Sequence, residues 1–278
     1  MIEEGNILTF DQLSLYTRSW LIDEPVGDIF FVHGFMEHCQ RYDAEASFFN
    51  SHGFNFYSYD QRTHGKSDGP LRSFIKPFDN YLKDYDQFLS TKIKNSQRPF
   101  FLFSHSMGGL VQLSHLLKQP IKNKNFKGAL FSSPFIKASQ DVAPMLQKVA
   151  GIIGTLFPKL KTVKADPSAI SRDQQEVDKY INDPLIYTEG LYAASGKNLL
   201  KQIKKVTKDF DKFDVPFIIQ HGTDDKLAEI QGSKDLIKRC SSKDAVFIEL
   251  SDFKHEITRD IGKEDVMTNF LNWMKERF

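Results

Sequence analysis

With only two cysteines in 278 residues, the chain cannot build a disulfide framework. Cys39 and Cys240 stand far apart, without the close pairing of a zinc or redox motif, and read as reduced thiols of a cytosolic protein. No apolar run approaches the roughly 18 residues of a membrane span. The opening Met1-Ile-Glu-Glu-Gly is not a basic segment leading into an apolar one, so it does not read as a secretory signal. An excess of either charge is also missing: 37 Lys and Arg against 36 Asp and Glu leave a formal net charge of +1. That gives no footprint for nucleic acid and no call for an acidic partner. Internal repeats, low-complexity linkers and metal-ligand spacings are absent. What is present is an ordinary globular composition, 40% hydrophobic and 26% charged, on a chain long enough for one large α/β domain or two small ones.

The most informative stretch is Phe100-Phe-Leu-Phe-Ser-His-Ser-Met-Gly-Gly-Leu-Val111. Four apolar residues suit a strand buried on both faces of a parallel sheet. The run breaks at Ser104-His105-Ser106-Met107-Gly108-Gly109, and Leu110, Leu113 and Leu116-Leu117 then recur on one helical face. Strand, tight turn around a serine and helix make the shape of a nucleophile elbow, which lifts the Ser106 hydroxyl off the sheet beside a helix N-terminus. The usual pattern is G-x-S-x-G, and here its first position is Ser104.

Around this stretch, residues 7–20 alternate as a solvated antiparallel hairpin at a sheet edge. Strands are expected at Asp28–His33, Phe54–Tyr59, Lys127–Ser132, Val215–His221 and Ala245–Leu250. Helices are expected through Tyr42 and Phe48-Phe49, from Phe78 to about Lys94, and from about Asp260 to Lys275. This alternation predicts βαβ units and a mainly parallel sheet flanked by helices, an α/β fold. Between Phe135 and Val206 the strand rhythm stops, and a near-helical apolar stripe runs from Val142 to Leu160. The reading is therefore a core of residues 1–134 and 207–278 with one helical insertion, 135–206.

A serine hydroxyl is a weak nucleophile that needs a base, and the base needs a third group to fix its tautomer. On an α/β sheet these groups belong on loops at the carboxyl ends of strands, in the order Ser, acid, His. Of the eight histidines, only His115, His221 and His255 follow Ser106. His115 falls in the helix after the elbow and His221 at the end of a buried strand. His255, in the loop after the last strand, is the candidate base by position. For the acid, His221-Gly-Thr-Asp224-Asp225-Lys-Leu227 offers two adjacent carboxylates. The residues alone leave both open, beside the plainer reading of a turn in which an Asp caps backbone N–H groups. The N–H groups of Met107, just after the serine, and of Phe35, after His33-Gly34, are the candidate oxyanion donors.

Taken together these segments resemble the serine hydrolases of the α/β-hydrolase fold that include monoacylglycerol lipases and lysophospholipases. The resemblance rests on His33-Gly34-x-x-Glu37-His38-x-x-Arg41-Tyr42, Asp60-x-x-x-His64-Gly65-x-Ser67-x-Gly69 and His105-Ser106-Met107-Gly108-Gly109. It continues through Ser171-Arg172-Asp173, Val177-Asp178-x-Tyr180, Asp183-Pro184-Leu185, Gly222-x-x-Asp225-Lys226-Leu227 and His255. It implies that Asp225 rather than Asp224 is the acid and that 135–206 is a cap over the site. It also implies that Glu37, Arg41, His105 and Tyr180 face the polar end of the substrate. The competing view of Glu37 and Arg41 is a simple i,i+4 pair on a helix. The expected chemistry is hydrolysis of a small lipid ester through an acyl-enzyme on Ser106, with no metal or organic cofactor. A mild excess of lysine and arginine in 135–205 favours contact of the cap with an anionic membrane surface. Alternatives are a broad short-chain carboxylesterase, a peptidase on the same scaffold, or a non-catalytic binding protein. Two residues depart from the family pattern. Ser104 replaces the elbow glycine, with a slight shift of the turn as the expected result. Bulky Phe35 and Met36 stand where small residues are common, and the Phe35 ring is free to wall the acyl channel.

Overall fold

The computed structural model describes residues 1–93, 97–139, 153–164 and 166–278. Among them lie strands β1 (Ile2–Leu8), β2 (Ser14–Trp20), β3 (Gly27–Val32), β4 (Phe54–Tyr59), β5 (Phe100–His105), β6 (Phe126–Ser132), β7 (Phe217–Gly222) and β8 (Ala245–Leu250). They form one 8-stranded sheet in the order β1-β2-β4-β3-β5-β6-β7-β8. The pairs β1–β2 and β2–β4 are antiparallel and every other pair is parallel. The α-helices named among the described residues are α1 (Asp43–Ser51), α2 (Asp79–Ile93), α3 (Met107–Lys118), α4 (Gln174–Asn182), α5 (Ala193–Lys208), α6 (Ile230–Arg239) and α7 (Lys263–Lys275).

Side chains alternate across each central strand, and both faces are covered. Phe30, Val32, Phe100 and Leu102 pack with α2, α3, α5 and α6. Ile29, Phe31, Phe101 and Phe103 face the opposite way, onto residues of α1 and α7. That double burial is why β3 and β5 read as unbroken apolar runs. Aromatic pairs carry much of the second face, with the Phe31 and Phe103 rings 5.1 Å apart and edge-on.

Several elements differ from the sequence reading. The first hairpin begins at Ile2, and β2 is buried rather than solvated, because β4 pairs along its other side. Within the hairpin, β1 is the strand at the sheet edge and the exposed one. The closing helix starts at Lys263, since Gly262 precedes it in a left-handed conformation (φ 94°). Helix α6 went unread between β7 and β8. Most of the stripe from Val142 to Leu160 lies outside the described residues; of its described part, Leu156, Phe157 and Leu160 are exposed.

Between β6 and β7 the described residues hold a 3-10 turn at Pro167–Ala169, then α4 and α5, and no strand. Ile170, Val177, Tyr180 and Ile186 form a small cluster of their own. Leu199, Ile203 and Val206 of α5 instead join the main core.

Candidate active site

The carboxyl ends of β3, β5, β6, β7 and β8 share one edge of the sheet, and every sequence-predicted catalytic residue follows one of them. Ser106 leaves β5 with φ 52° and ψ −117°, a backbone conformation that L-residues rarely adopt and that surrounding contacts must hold. Two do so directly: Ser106 N–H donates to the Ser132 carbonyl at 3.1 Å, and the Ser106 carbonyl accepts from Phe135 N–H at 2.9 Å. Ser104 is fully buried, and its hydroxyl donates to the Leu130 carbonyl of β6 at 3.3 Å. The elbow therefore forms with serine at this position, the extra hydroxyl being absorbed by the neighbouring strand.

Two loops bring the other partners together. Gly222 lies so close to the next loop that a Cβ there would sit 2.1 Å from the Phe253 carbonyl oxygen. Thr223 and Asp224 donate their N–H groups to the Leu250 and Phe253 carbonyls. The result is a continuous chain of hydrogen bonds. Ser106 Oγ is 2.8 Å from His255 Nε2, and His255 Nδ1 is 2.7 Å from Asp225 Oδ2. Asp224 points elsewhere, its half-exposed carboxylate 3.6 Å from Lys226 Nζ. Of the two aspartates that the residues alone left open, Asp225 is the one in contact with His255.

Electrostatics match this order. Burial alone would raise the Asp225 pKa, but the His255 charge and hydrogen bonds from His221 and His255 outweigh it and hold the carboxyl well below its usual range. Burial alone would lower the His255 pKa, and the Asp225 charge reverses that and raises it. The His105 ring lies 4.8 Å from His255, and burial, helped by the His255 charge, pushes His105 down to about 4.

Met107 opens α3, so its N–H is one of the first-turn donors that no helical carbonyl accepts. The loop carrying Phe35 lies against the serine: a Cβ on Gly34 would sit 3.2 Å from Ser106 Cβ. Glu37 braces that loop, accepting Gly34 N–H and, at 2.8 Å, the Tyr42 hydroxyl on one oxygen. Its other oxygen accepts from Arg41 at 2.6 Å. Arg41 reaches Glu256 bidentately at 2.8 Å and 2.8 Å, and its guanidinium lies 4.9 Å from the Tyr180 ring centre. Arg259 continues the network to Glu45 at 2.9 Å. Glu37 and Arg41 thus pair at i,i+4, but Glu37 stands in the loop before the 3-10 turn Cys39–Tyr42 rather than on a helix, and the pair sits inside a larger buried network that the sequence did not reveal. A cavity of about 430 Å³ adjoins it, lined by His38, Gln40, Arg41, Lys179, Asn182 and Asp183 among others. Among the described residues no three His, Cys, Asp or Glu side chains gather as metal ligands, and no helix is long and apolar enough to cross a membrane.

Sequence reasoning also missed Asp260. Fully buried, it accepts Arg172 N–H at 2.8 Å, the Arg172 side chain at 3.1 Å, and Lys254 N–H at 2.8 Å. Glu256 N–H donates to the Ile170 carbonyl at 2.8 Å. Both backbone neighbours of His255 are therefore tied down, and residues 170–172 supply part of the tie.

A family model described as serine aminopeptidase S33, a group of hydrolases, matches residues 23–262. The chain belongs to this family. It is 30% identical over 277 residues to the monoglyceride lipase homolog of Monkeypox virus, covering 98% of both chains. An abhydrolase domain-containing protein of Dictyostelium discoideum is 30% identical over 276 residues, and this chain spans only 29% of its length. The crystal structure of the Paleococcus ferrophilus monoacylglycerol lipase superposes with a TM-score of 0.82 at 26% identity, covering 95% of this chain and 99% of that one. The fold expected from the sequence, an α/β hydrolase with a mostly parallel sheet, is the fold observed.

Proposed function

We propose that this S33 hydrolase cleaves carboxylic esters of lipids, monoacylglycerols first and lysophospholipids second, through an acyl-enzyme on Ser106. The observation that carries the reading is the chain Ser106 Oγ–His255–Asp225, closed at 2.8 Å and 2.7 Å. Asp225 holds the proton of His255 on Nδ1, which leaves Nε2 free to accept the Ser106 proton as Oγ attacks the ester carbonyl. The N–H groups of Phe35 and Met107 take the charge that develops on the carbonyl oxygen. His255 then gives its proton to the leaving alcohol. Water repeats the cycle and releases the fatty acid.

Resemblance to relatives named as monoglyceride lipases supports a lipid ester as substrate. The family description names an aminopeptidase, whose substrate carries an ammonium group. The carboxylates of the network beside the site are all paired, Glu37 and Glu256 with Arg41 and Glu45 with Arg259, which favours an ester over a peptide amine. Phe35 packs with the apolar group of Met36, Phe74, Tyr187, Leu191 and Tyr192, which supports the reading of its ring as a wall for the acyl chain. Arg41, His105 and Tyr180 mark the polar side, with Glu37 bracing the oxyanion loop. The insertion 135–206 is read as the cap, rooted in the core through Leu199, Ile203 and Val206 of α5. Leu156, Phe157 and Leu160 are 65%, 62% and 50% exposed and, beside Lys159 and Lys164, form an edge for a lipid surface.

The test is a substrate panel of monoacylglycerols, lysophospholipids, short-chain esters and aminoacyl amides, run with fluorophosphonate labelling of wild type and Ser106→Ala. Long-chain monoacylglycerol should turn over fastest, and only wild type should label. Equal labelling of Ser106→Ala removes Ser106 as nucleophile, and undiminished rates on short esters make the chain a general carboxylesterase.

A further inference from the structure

Asp225 is bound by more than the proposed catalytic histidine. Its Oδ1 accepts the N–H groups of Leu227 and Ala228, each at 2.9 Å. Its Oδ2 accepts from His255 at 2.7 Å and from a second imidazole, His221 Nε2, at 3.0 Å. Each carboxylate oxygen has two lone pairs, so all four acceptor sites are filled.

His221, the penultimate residue of β7, has no exposed surface at all. Its Nε2 faces two acceptors, Asp225 Oδ2 and the Ala228 carbonyl at 3.1 Å, so this nitrogen carries the ring proton. Nδ1 then presents a lone pair to the Ser233 hydroxyl of α6, 2.8 Å away and equally buried. Ser233 holds the ring from behind. The ring is a donor held between a helix and the carboxylate. Nothing in the reaction as proposed needs it, and an apolar residue would fill the end of a buried strand as well.

We propose that His221 is a positioning residue of the catalytic centre. It pins the Asp225 carboxylate from the side opposite His255 and lengthens the chain to Ser106–His255–Asp225–His221–Ser233. This rests on the proposed roles of Ser106, His255 and Asp225. Two consequences follow, and they act on different observables. Without the His221 donor, one Oδ2 lone pair is left open in a buried site, the carboxylate is free to rotate, and His255 is less well aimed at Ser106. The same loss leaves more of the Asp225 charge to His255, whose imidazolium becomes easier to form. The other titratable groups facing His255 are His105, Glu256 and Glu37, all retained when His221 alone is changed.

The experiment compares wild type with His221→Leu, His221→Phe and His221→Gln in kcat, KM and the pH profile of kcat/KM on a water-soluble ester. Rates are taken per active site titrated with a fluorophosphonate, which removes any misfolded fraction. The donor-free Leu and Phe variants should lose about 10-fold to 100-fold in kcat, the size expected for one hydrogen bond to an ionised acceptor. Their KM should hold, and the acidic limb should move to higher pH. Gln, which keeps an N–H donor, should recover most of the loss. Two independent donor-free variants keep the test readable if one of them fails to fold. The proposal is overturned if kcat per site and the acidic limb both stay at wild-type values in either donor-free variant, or if Gln is as impaired as Leu. A wild type that fluorophosphonate does not label at Ser106 sinks the functional reading itself and this inference with it.

Discussion

Replacing Asp225 by asparagine changes one atom, and the surrounding donors dictate what that atom does. The Leu227 and Ala228 N–H groups at 2.9 Å and 2.9 Å require an oxygen at the Oδ1 position. The new amide nitrogen must therefore take the Oδ2 position, 2.7 Å from His255 Nδ1 and 3.0 Å from His221 Nε2. There a donor meets the His255 Nδ1 proton. His255 relieves the clash by moving that proton to Nε2, which then points it at Ser106 Oγ, and the ring can no longer accept the serine proton. A wrong-tautomer histidine in an otherwise intact triad costs about 10⁴-fold in kcat, or about 5.4 kcal/mol of transition-state stabilisation. Asp224→Asn should do almost nothing, because its side chain is 47% exposed and pairs only loosely with Lys226 at 3.6 Å; a change within about 0.5 kcal/mol is expected there. The assay is initial-rate hydrolysis of a monoacylglycerol by both variants, with thermal melts to show that each is folded. If Asp224→Asn is the slower enzyme, or Asp225→Asn keeps a tenth of wild-type kcat, the tautomer argument is wrong.

Because His255 must be neutral to accept a proton and Asp225 raises its pKa, kcat/KM should fall with decreasing pH along a limb centred above the ordinary histidine value of about 6.5; a limb centred below it contradicts the assignment. Changing Leu156, Phe157 and Leu160 together to serine removes three exposed apolar side chains, each worth about 1 kcal/mol on partial burial in lipid. Partitioning onto anionic vesicles, measured by co-sedimentation, should drop roughly 100-fold, while hydrolysis of a water-soluble ester stays level.

The strands that β–α alternation made easiest to read are those buried on both faces. Phe100–Phe103 and Ile29–Val32 could hardly be anything else in a chain with no membrane-length run. The edge hairpin was placed less well, because burial of β2 depends on β4 pairing beside it, which no local pattern encodes. At the site, Ser106 and His255 are marked by their places after strands in a fixed order, whereas Asp225 shares its place with Asp224 and is singled out in the sequence only by the family resemblance. His221 was passed over as the end of a buried strand, although its ring turns into the catalytic loop. Glu37 and Arg41 announced themselves by spacing, but Glu256 lies 215 residues from Arg41, and nothing local signals that contact. Ser104, the one mismatch to the elbow pattern, is explained by the Leu130 carbonyl on an adjacent strand, a partner that only sheet register reveals.

The tie through Asp260 bears on which parts of such a chain can be exchanged. Residues 170–172 belong to the insertion by position along the chain, yet by contact they belong to the base of the His255 loop. A cap recombined from a relative at the ends of β6 and β7 would discard the Ser171-Arg172 half of that tie and leave Asp260, buried and negative, without its cation. The graft would then disturb the histidine before it altered any substrate preference. The natural seam lies after Arg172, so the freely transferable module is shorter than the loop that contains it.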